Sequence, residues 1–342
     1  MSPSTVVGYA AKAAGALLEP FTYEAPPLGD QDIRVSVTHC GVCHTDLHAV
    51  DDRYELFSFP LVPGHEIVGK VSEVGRGVSD LRIGDRVGIG WQGRSCMHCE
   101  WCLQGEEQLC LEIVEAGTWT PYGGFSSSVV VDGRFAYGLP DAMPSEVGAV
   151  LMCAGIAVYS PLRRYTAEGP LRVGVVSVGG LGHLAIQFAH AFGQEVTAIS
   201  SSTEKEAEAR SFGADHFILS TDIAAMRRAA LTLDLLLCSA HSSMDWDYVL
   251  NTLKKRGRLV LLGFPELTLD SVNLVGRELS ITGSFLGSRT GMREMLEFAQ
   301  AHGIVPQVEL MPMSQVNEAI QKVRDNRARY RIVLINDISA HG

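Results

Sequence analysis

Apolar and polar positions alternate in short stretches through the first 150 residues. Residues 35–37 and 67–74 (Ile-Val-Gly-Lys-Val-Ser-Glu-Val) carry the period of two that marks a half-buried strand, broken by Gly75 and Gly77. Residues 82–89 read as a turn followed by another strand. From residue 171 the pattern changes. A continuous apolar strand (171–178) meets a tight Gly-Gly-Leu-Gly turn, then an apolar helix (184–192) stopped at Gly193, then a strand at 195–200. Further units follow: strand 234–238, helix 245–255, strand 258–263 and strand 279–286. Amphipathic helices are predicted at 289–302 and from 313, and the apolar strand 330–335 is expected to rejoin the first region. A helical stretch from Pro144, with Ser145 as its N-cap, links the halves. The expectation is an α/β protein with a β-rich first domain (1–152 and 287–342) and a doubly wound parallel-sheet domain (153–286). A chain of 342 residues is too long for one typical core.

Composition narrows the class. Hydrophobic residues make up 46% and charged residues 20%, as in a globular enzyme. A formal net charge of -11 argues against nucleic acid and against anionic membrane surfaces as partners. No apolar run is expected to reach the roughly 20 residues of a membrane span. Residues 1–19 lack the strong apolar core of a signal peptide, so the cytoplasm is the expected location.

Eight cysteines fall at 40, 43, 96, 99, 102, 110, 153 and 238, four of them within fifteen residues. Such crowding in a chain without a secretion signal points to metal rather than disulfides. Four thiolates at Cys96, Cys99, Cys102 and Cys110 can close a tetrahedral shell around zinc with no place for water, the pattern of a structural site. His98, between them, reads as solvated. A second set is more open. The string 40–48 (Cys-Gly-Val-Cys-His-Thr-Asp-Leu-His) is expected on a loop leaving a buried strand, and Gly-His-Glu at 64–66 follows. Cys43, His65 and a later thiol can hold a divalent metal with one position left open.

Residues 43–48, the 64–66 fragment, the four-cysteine lobe and the Gly-Gly-Leu-Gly turn together resemble the zinc-dependent medium-chain alcohol dehydrogenases, in their cinnamyl-alcohol-dehydrogenase-like branch. The likeness runs from about Val35 to Leu334. It implies a GroES-like catalytic domain and a Rossmann domain, a homodimer, and two zinc ions per chain. For the catalytic zinc it implies the family's Cys₂His set, here Cys43, His65 and Cys153. Glu66 matches the carboxylate beside the metal, and Asp46 the group that orients a ligand imidazole. Thr45 and His48 match a proton relay, and His44 and Arg331 match contacts to the cofactor diphosphate. Trp91 aligns with the wall of the substrate pocket, with Trp119 and Phe285 as neighbours. Cys40 has no matching role.

The turn at Gly179, Gly180, Leu181 and Gly182 would hold a dinucleotide diphosphate at a helix start. The usual first glycine of that fingerprint is Ser177 here. At the tip of the second strand, Ser200, Ser201 and Ser202 with Lys205 stand where an NAD enzyme places a carboxylate. That favours NADP(H), although Ser202 or Thr203 could equally cap the next helix. Ser239, Gly263, Ser284 and Leu286 match positions near the nicotinamide. The activity implied is reduction of aromatic, allylic or medium-chain aldehydes and oxidation of the matching primary alcohols. A polyol or secondary-alcohol dehydrogenase of the same fold, using NAD or NADP, is the alternative.

Overall fold

The structure, a computed structural model, describes residues 5–116, 122–241 and 244–338. The chain forms two compact units: 1–153, 287–300 and 306–342 in one, 154–286 and 301–305 in the other.

The first unit is built on a seven-stranded sheet. Its long strand Asp32–Val42 pairs antiparallel with Glu66–Val74 on one side and Arg331–Ile335 on the other. The register sets Cys40 against Ile67 and Leu334, and Gly41 against Glu66. Ile33, Val35, Ile67, Val87, Ile89 and Phe125 fill the core beneath this sheet and are essentially inaccessible to solvent. Arg331–Ile335 returns from the far end of the sequence to complete the sheet beside the cysteine string. A hairpin of Thr5–Ala10 and Glu19–Glu24, not anticipated from the sequence, packs against the same core.

In the second unit six parallel strands lie in the order His216–Leu219, Glu195–Ser200, Arg172–Val176, Leu233–Cys238, Leu253–Leu261, Ser280–Gly283. In chain order this is 3-2-1-4-5-6, the doubly wound dinucleotide-binding topology, which reverses between Arg172–Val176 and Leu233–Cys238. Ligands in such sheets bind at the strand ends beside that reversal. The residues expected as the end of a helix at 245–255 instead begin a strand. Trp246–Asn251 is a short helix capped by Asp245, and Leu253–Leu261 starts immediately after it. Leu253 is buried against Leu233, so tertiary pairing overrides the helix-forming lysines that follow.

One helical run is longer and more apolar than the sequence pattern predicts. Residues Ser145–Tyr165 are long and apolar enough, by length and composition, to cross a membrane, and 83% of the apolar window is buried inside the fold. It is a core helix that a count of consecutive apolar residues did not register. Ser145 is its first helical residue, with Pro144 at the N-cap. The run is not uniform: residues Leu151–Gly155 form a π-helical turn between Ser145–Val150 and Ile156–Tyr165.

Candidate metal centre and dinucleotide turn

The strand Asp32–Val42 delivers Cys43 to a helix rather than a loop. Cys43 is the N-cap of His44–Val50, and Asp46, three residues on, accepts a hydrogen bond from the Cys43 backbone N–H at 2.8 Å. This reciprocal cap is what turns the string helical. The other oxygen of Asp46 accepts from Gly64 N–H at 3.0 Å and from His65 Nδ1 at 2.9 Å. One fully buried carboxylate therefore fixes both the cysteine and the histidine. Gly64 is required where it stands. Its φ is +104°, and a Cβ would lie 2.7 Å from the Phe125 ring and 2.9 Å from Cys40 Sγ. Cys40 is thus a packing residue in the wall behind the site.

The π-helical turn carries Cys153, and such turns concentrate at functional sites. Ligand atoms of Cys43, His65, Glu66 and Cys153 all lie within 4.8 Å of one another, and all four residues are buried. With Nδ1 engaged by Asp46, His65 directs Nε2 inward, where it has no hydrogen-bond partner. An orphaned, buried imidazole nitrogen facing two thiols fits a soft-to-borderline divalent metal such as zinc. The hydrogen bond from Cys153 holds the Cys43 thiol well below its ordinary range against the effect of burial, and the same contact with burial pushes Cys153 up. Burial opposes a charge on His65, but Asp46 and Cys43 together more than offset it and the imidazole is raised. Zinc, when bound, would replace the protons of both thiols and take the lone pair of His65 Nε2.

Glu66 is buried and paired with Arg331, whose guanidinium is buried as well. Burial pushes the Glu66 carboxyl up to about 7, with Arg331 pulling the other way. The second oxygen of Glu66 has no partner, which leaves it available beside the ligand cluster. Arg331, matched by resemblance to a diphosphate contact, here has a carboxylate as its ion-pair partner.

Thr45 Oγ1 lies 3.7 Å from Cys43 Sγ, and His48 sits one helical turn further along. Two residues that sequence reasoning did not single out enclose His48: Arg53 Nη1 is 3.2 Å from its Nε2, and Tyr54 OH 3.4 Å from its Nδ1. Their signal was only adjacency to the helix end. The His44 and His48 rings meet edge-on at 6.5 Å.

The four-cysteine lobe forms a second cluster, again with ligand atoms within 4.8 Å. Cys96 Sγ is 3.5 Å from Cys110 Sγ and 3.9 Å from Cys102 Sγ, too far for disulfides. Backbone N–H groups of Cys99 and Glu112 point at the sulfurs of Cys96 and Cys110, at 3.3 and 3.4 Å. Cys96 is lowered to about 6 through its hydrogen bonds to the His98 and Cys99 backbone, whereas burial pushes Cys110 up to about 12 against the N–H groups aimed at it. His98 is exposed and outside the cluster of four, bonded through Nδ1 to the Cys96 carbonyl.

In the second unit the turn after Arg172–Val176 leads into the helix Gly182–Ala191, with Leu181 at its N-cap. A Cβ on Gly182 would stand 1.9 Å from the Ser177 carbonyl oxygen, so only glycine lets the helix come this close to the strand end. Ser239 is buried and donates to the Val176 and Ser177 carbonyls. Gly263 packs against the Ala240 carbonyl, and Ser284 N–H bonds Leu261. Ser200 is buried at its strand tip, where its hydroxyl accepts from Ser202 N–H. The helix Lys205–Ser211 starts at Glu204 with no side-chain cap, so neither Ser202 nor Thr203 is spent on capping. Lys205 meets Glu208 at 3.5 Å. Trp91 is buried, Phe285 is 44% exposed and Leu286 takes a positive φ; Trp119 lies outside the described residues.

Comparison with known proteins agrees with both halves. Residues 29–141 match the alcohol dehydrogenase GroES-like domain, and residues 180–301 the zinc-binding dehydrogenase domain. Vomilenine reductase of Rauvolfia serpentina is 39% identical over 97% of this chain and 95% of its own length. A cinnamyl alcohol dehydrogenase of Sorghum bicolor superposes with a TM-score of 0.93 at 38% identity, covering 99% of each chain. The cinnamyl alcohol dehydrogenase of Helicobacter pylori, solved with NADP(H), gives 0.89 at 28% identity, covering 97% of this chain and 98% of that one. With its GroES-like and Rossmann-type domains and its two cysteine clusters, this chain belongs to the zinc-dependent medium-chain alcohol dehydrogenases, in their cinnamyl-alcohol-dehydrogenase-like branch.

Proposed function

We propose that this oxidoreductase uses zinc and NADP(H) to interconvert aldehydes and primary alcohols, with aromatic and allylic aldehydes as its main substrates. The observation that carries the reading is the buried Cys43, His65 and Cys153 set, with His65 Nε2 orphaned and Asp46 locking the other side of the ring. These three residues would hold the catalytic ion, and Cys96, Cys99, Cys102 and Cys110 the structural one. When bound, zinc supplies Lewis-acid polarisation of the carbonyl oxygen and NADPH supplies the hydride. Thr45 donates a proton to the oxygen as it becomes a hydroxyl, and His48, one turn along and held by Arg53 and Tyr54, replenishes that proton. Burial of the ligand cluster keeps bulk water from competing for the open position.

The preference for NADP(H) rests on Ser200, Ser201, Ser202 and Lys205. No carboxylate occupies that strand tip to repel a 2′-phosphate, and the serine hydroxyls are not used as helix caps. The Helicobacter pylori relative was solved with NADP(H), which supports the same choice. Names of the relatives support an aromatic or allylic substrate, and Trp91, buried in the first unit, is assigned to its apolar surroundings. The last strand, Ser280–Gly283, has one open edge, and Val272 and Val275 on the preceding helix are exposed; both support a homodimer. The test is a panel of cinnamyl, benzyl, medium-chain and polyol substrates with NADPH and NADH, compared by kcat/KM. The reading predicts cinnamyl-type aldehydes with NADPH at the top. Polyols or secondary alcohols at the top would overturn it.

A further inference from the structure

Ser177 stands where the dinucleotide fingerprint usually has its first glycine, and the structure shows what the substitution entails. Its φ is +75°, the left-handed region that a residue with a Cβ adopts only under constraint. The constraint is visible on three sides. Ser177 N–H donates to the Ile199 carbonyl at 3.0 Å, its own carbonyl accepts from Ser239 Oγ at 3.2 Å, and the helix start at Gly182 presses against that carbonyl. The backbone is pinned; the side chain is not. Among the described residues no protein group bonds the Ser177 hydroxyl, which is half-buried. Its Oγ lies 3.9 Å from the point where a Cβ on Gly179 would stand, and nothing else comes within 4 Å of that point. The hydroxyl is therefore held over the bare turn, on the side left open by Gly179.

Strain kept at a glycine turn, together with a half-buried hydroxyl that lies on the open side of that turn and bonds no protein group among the described residues, points to a ligand contact. We propose that Ser177 donates a hydrogen bond to the diphosphate of the bound dinucleotide, a binding contact that glycine at this position cannot make. The inference rests on the dinucleotide reading above. It makes Ser177 a cofactor-binding residue in its own right rather than a tolerated defect in the fingerprint.

The test is direct binding of NADPH and NADH, by fluorescence of the reduced nicotinamide and by calorimetry, to the zinc-loaded protein and to Ser177→Ala and Ser177→Gly. Alanine keeps the Cβ and its strain but loses the hydroxyl. Glycine loses both and restores the usual residue. The expected result is Kd about tenfold weaker for both cofactors in both variants, as for loss of one hydrogen bond to a charged group. Ser177→Gly should at the same time raise the melting temperature, because the strained φ suits glycine. Unchanged binding in Ser177→Ala, or tighter binding in Ser177→Gly, would overturn the proposal. So would a loss confined to NADPH, which would move the contact to the 2′-phosphate. Should Ser177→Ala prove unstable, Ser177→Gly decides alone. If the unaltered protein binds neither cofactor, the dinucleotide reading itself fails and this contact with it.

Discussion

Asp46→Asn is the substitution that most sharply separates a built metal centre from a fortuitous cluster. The carboxylate accepts three hydrogen bonds, from Cys43 N–H at 2.8 Å, Gly64 N–H at 3.0 Å and His65 Nδ1 at 2.9 Å, and is wholly buried. Asparagine is nearly isosteric and keeps one acceptor oxygen. If that oxygen stays with Gly64 and His65, its NH₂ must face the Cys43 N–H, donor against donor. If it turns around, His65 and Gly64 lose their acceptor. Either arrangement leaves at least one buried donor unsatisfied, which costs about 1–3 kcal/mol. The negative charge that favours a proton on Nδ1, and so a lone pair on Nε2, is also gone. Groups in this position behind a ligand histidine influence metal affinity by about 10–100-fold. We expect Asp46→Asn to fold, to lose about that much affinity for one zinc in competition with a chromogenic chelator, and to retain the other zinc. Asp46→Ala, which orphans all three donors, should lose about 3–5 kcal/mol in urea denaturation. Unchanged affinity for both zinc ions in Asp46→Asn would refute the argument that this carboxylate orients the ligand set.

Arg331→Met should destabilise the protein by about 3–5 kcal/mol because it leaves the Glu66 carboxylate buried beside thiols without its cation, and Glu66→Gln added to it should recover most of the loss in urea melts. In metal-free protein, burial pushes the folded Glu66 carboxyl up to about 7 from an ordinary value of 4.5. A raised folded value means that its contribution is fully present below pH 4.5 and is lost as pH rises through 7. Glu66→Gln should flatten that part of the stability–pH curve, and an unaltered slope would show that another group produces it. Gly182→Ala places a Cβ 1.9 Å from the Ser177 carbonyl, so NADPH binding should fall at least tenfold while the zinc content stays the same; normal binding would mean that the turn can open.

Much of the site could be read from local strings. Cys43, Asp46 and the 64–66 fragment lie close in sequence, and the second unit announces itself through strand, glycine turn, helix and strand in succession. The six-stranded order follows from right-handed crossovers once those units are recognised. Partners distant in sequence were beyond reach. Arg331 meets Glu66 across 265 residues because the strand Arg331–Ile335 pairs with Asp32–Val42, and nothing in either string declares that register. The π-helical turn at Cys153 has the same apolar composition as the α-helices on either side of it. The helix at His44–Val50 reads as a loop in the sequence because its N-cap is a cysteine, outside the usual capping set, and the cap is completed by Asp46. Arg53 and Tyr54 are unremarkable in composition and acquire meaning only when the chain folds back on His48.

The most direct test of the account is the zinc content of the purified protein and of Cys153→Ser, measured together with NADPH binding. Two complete donor sets predict two zinc ions per chain in the unaltered protein and one in Cys153→Ser, with NADPH still bound and aldehyde reduction abolished. One zinc in the unaltered protein, or Cys153→Ser retaining both zinc ions and full activity, would contradict the assignment of Cys43, His65 and Cys153 as the catalytic metal centre.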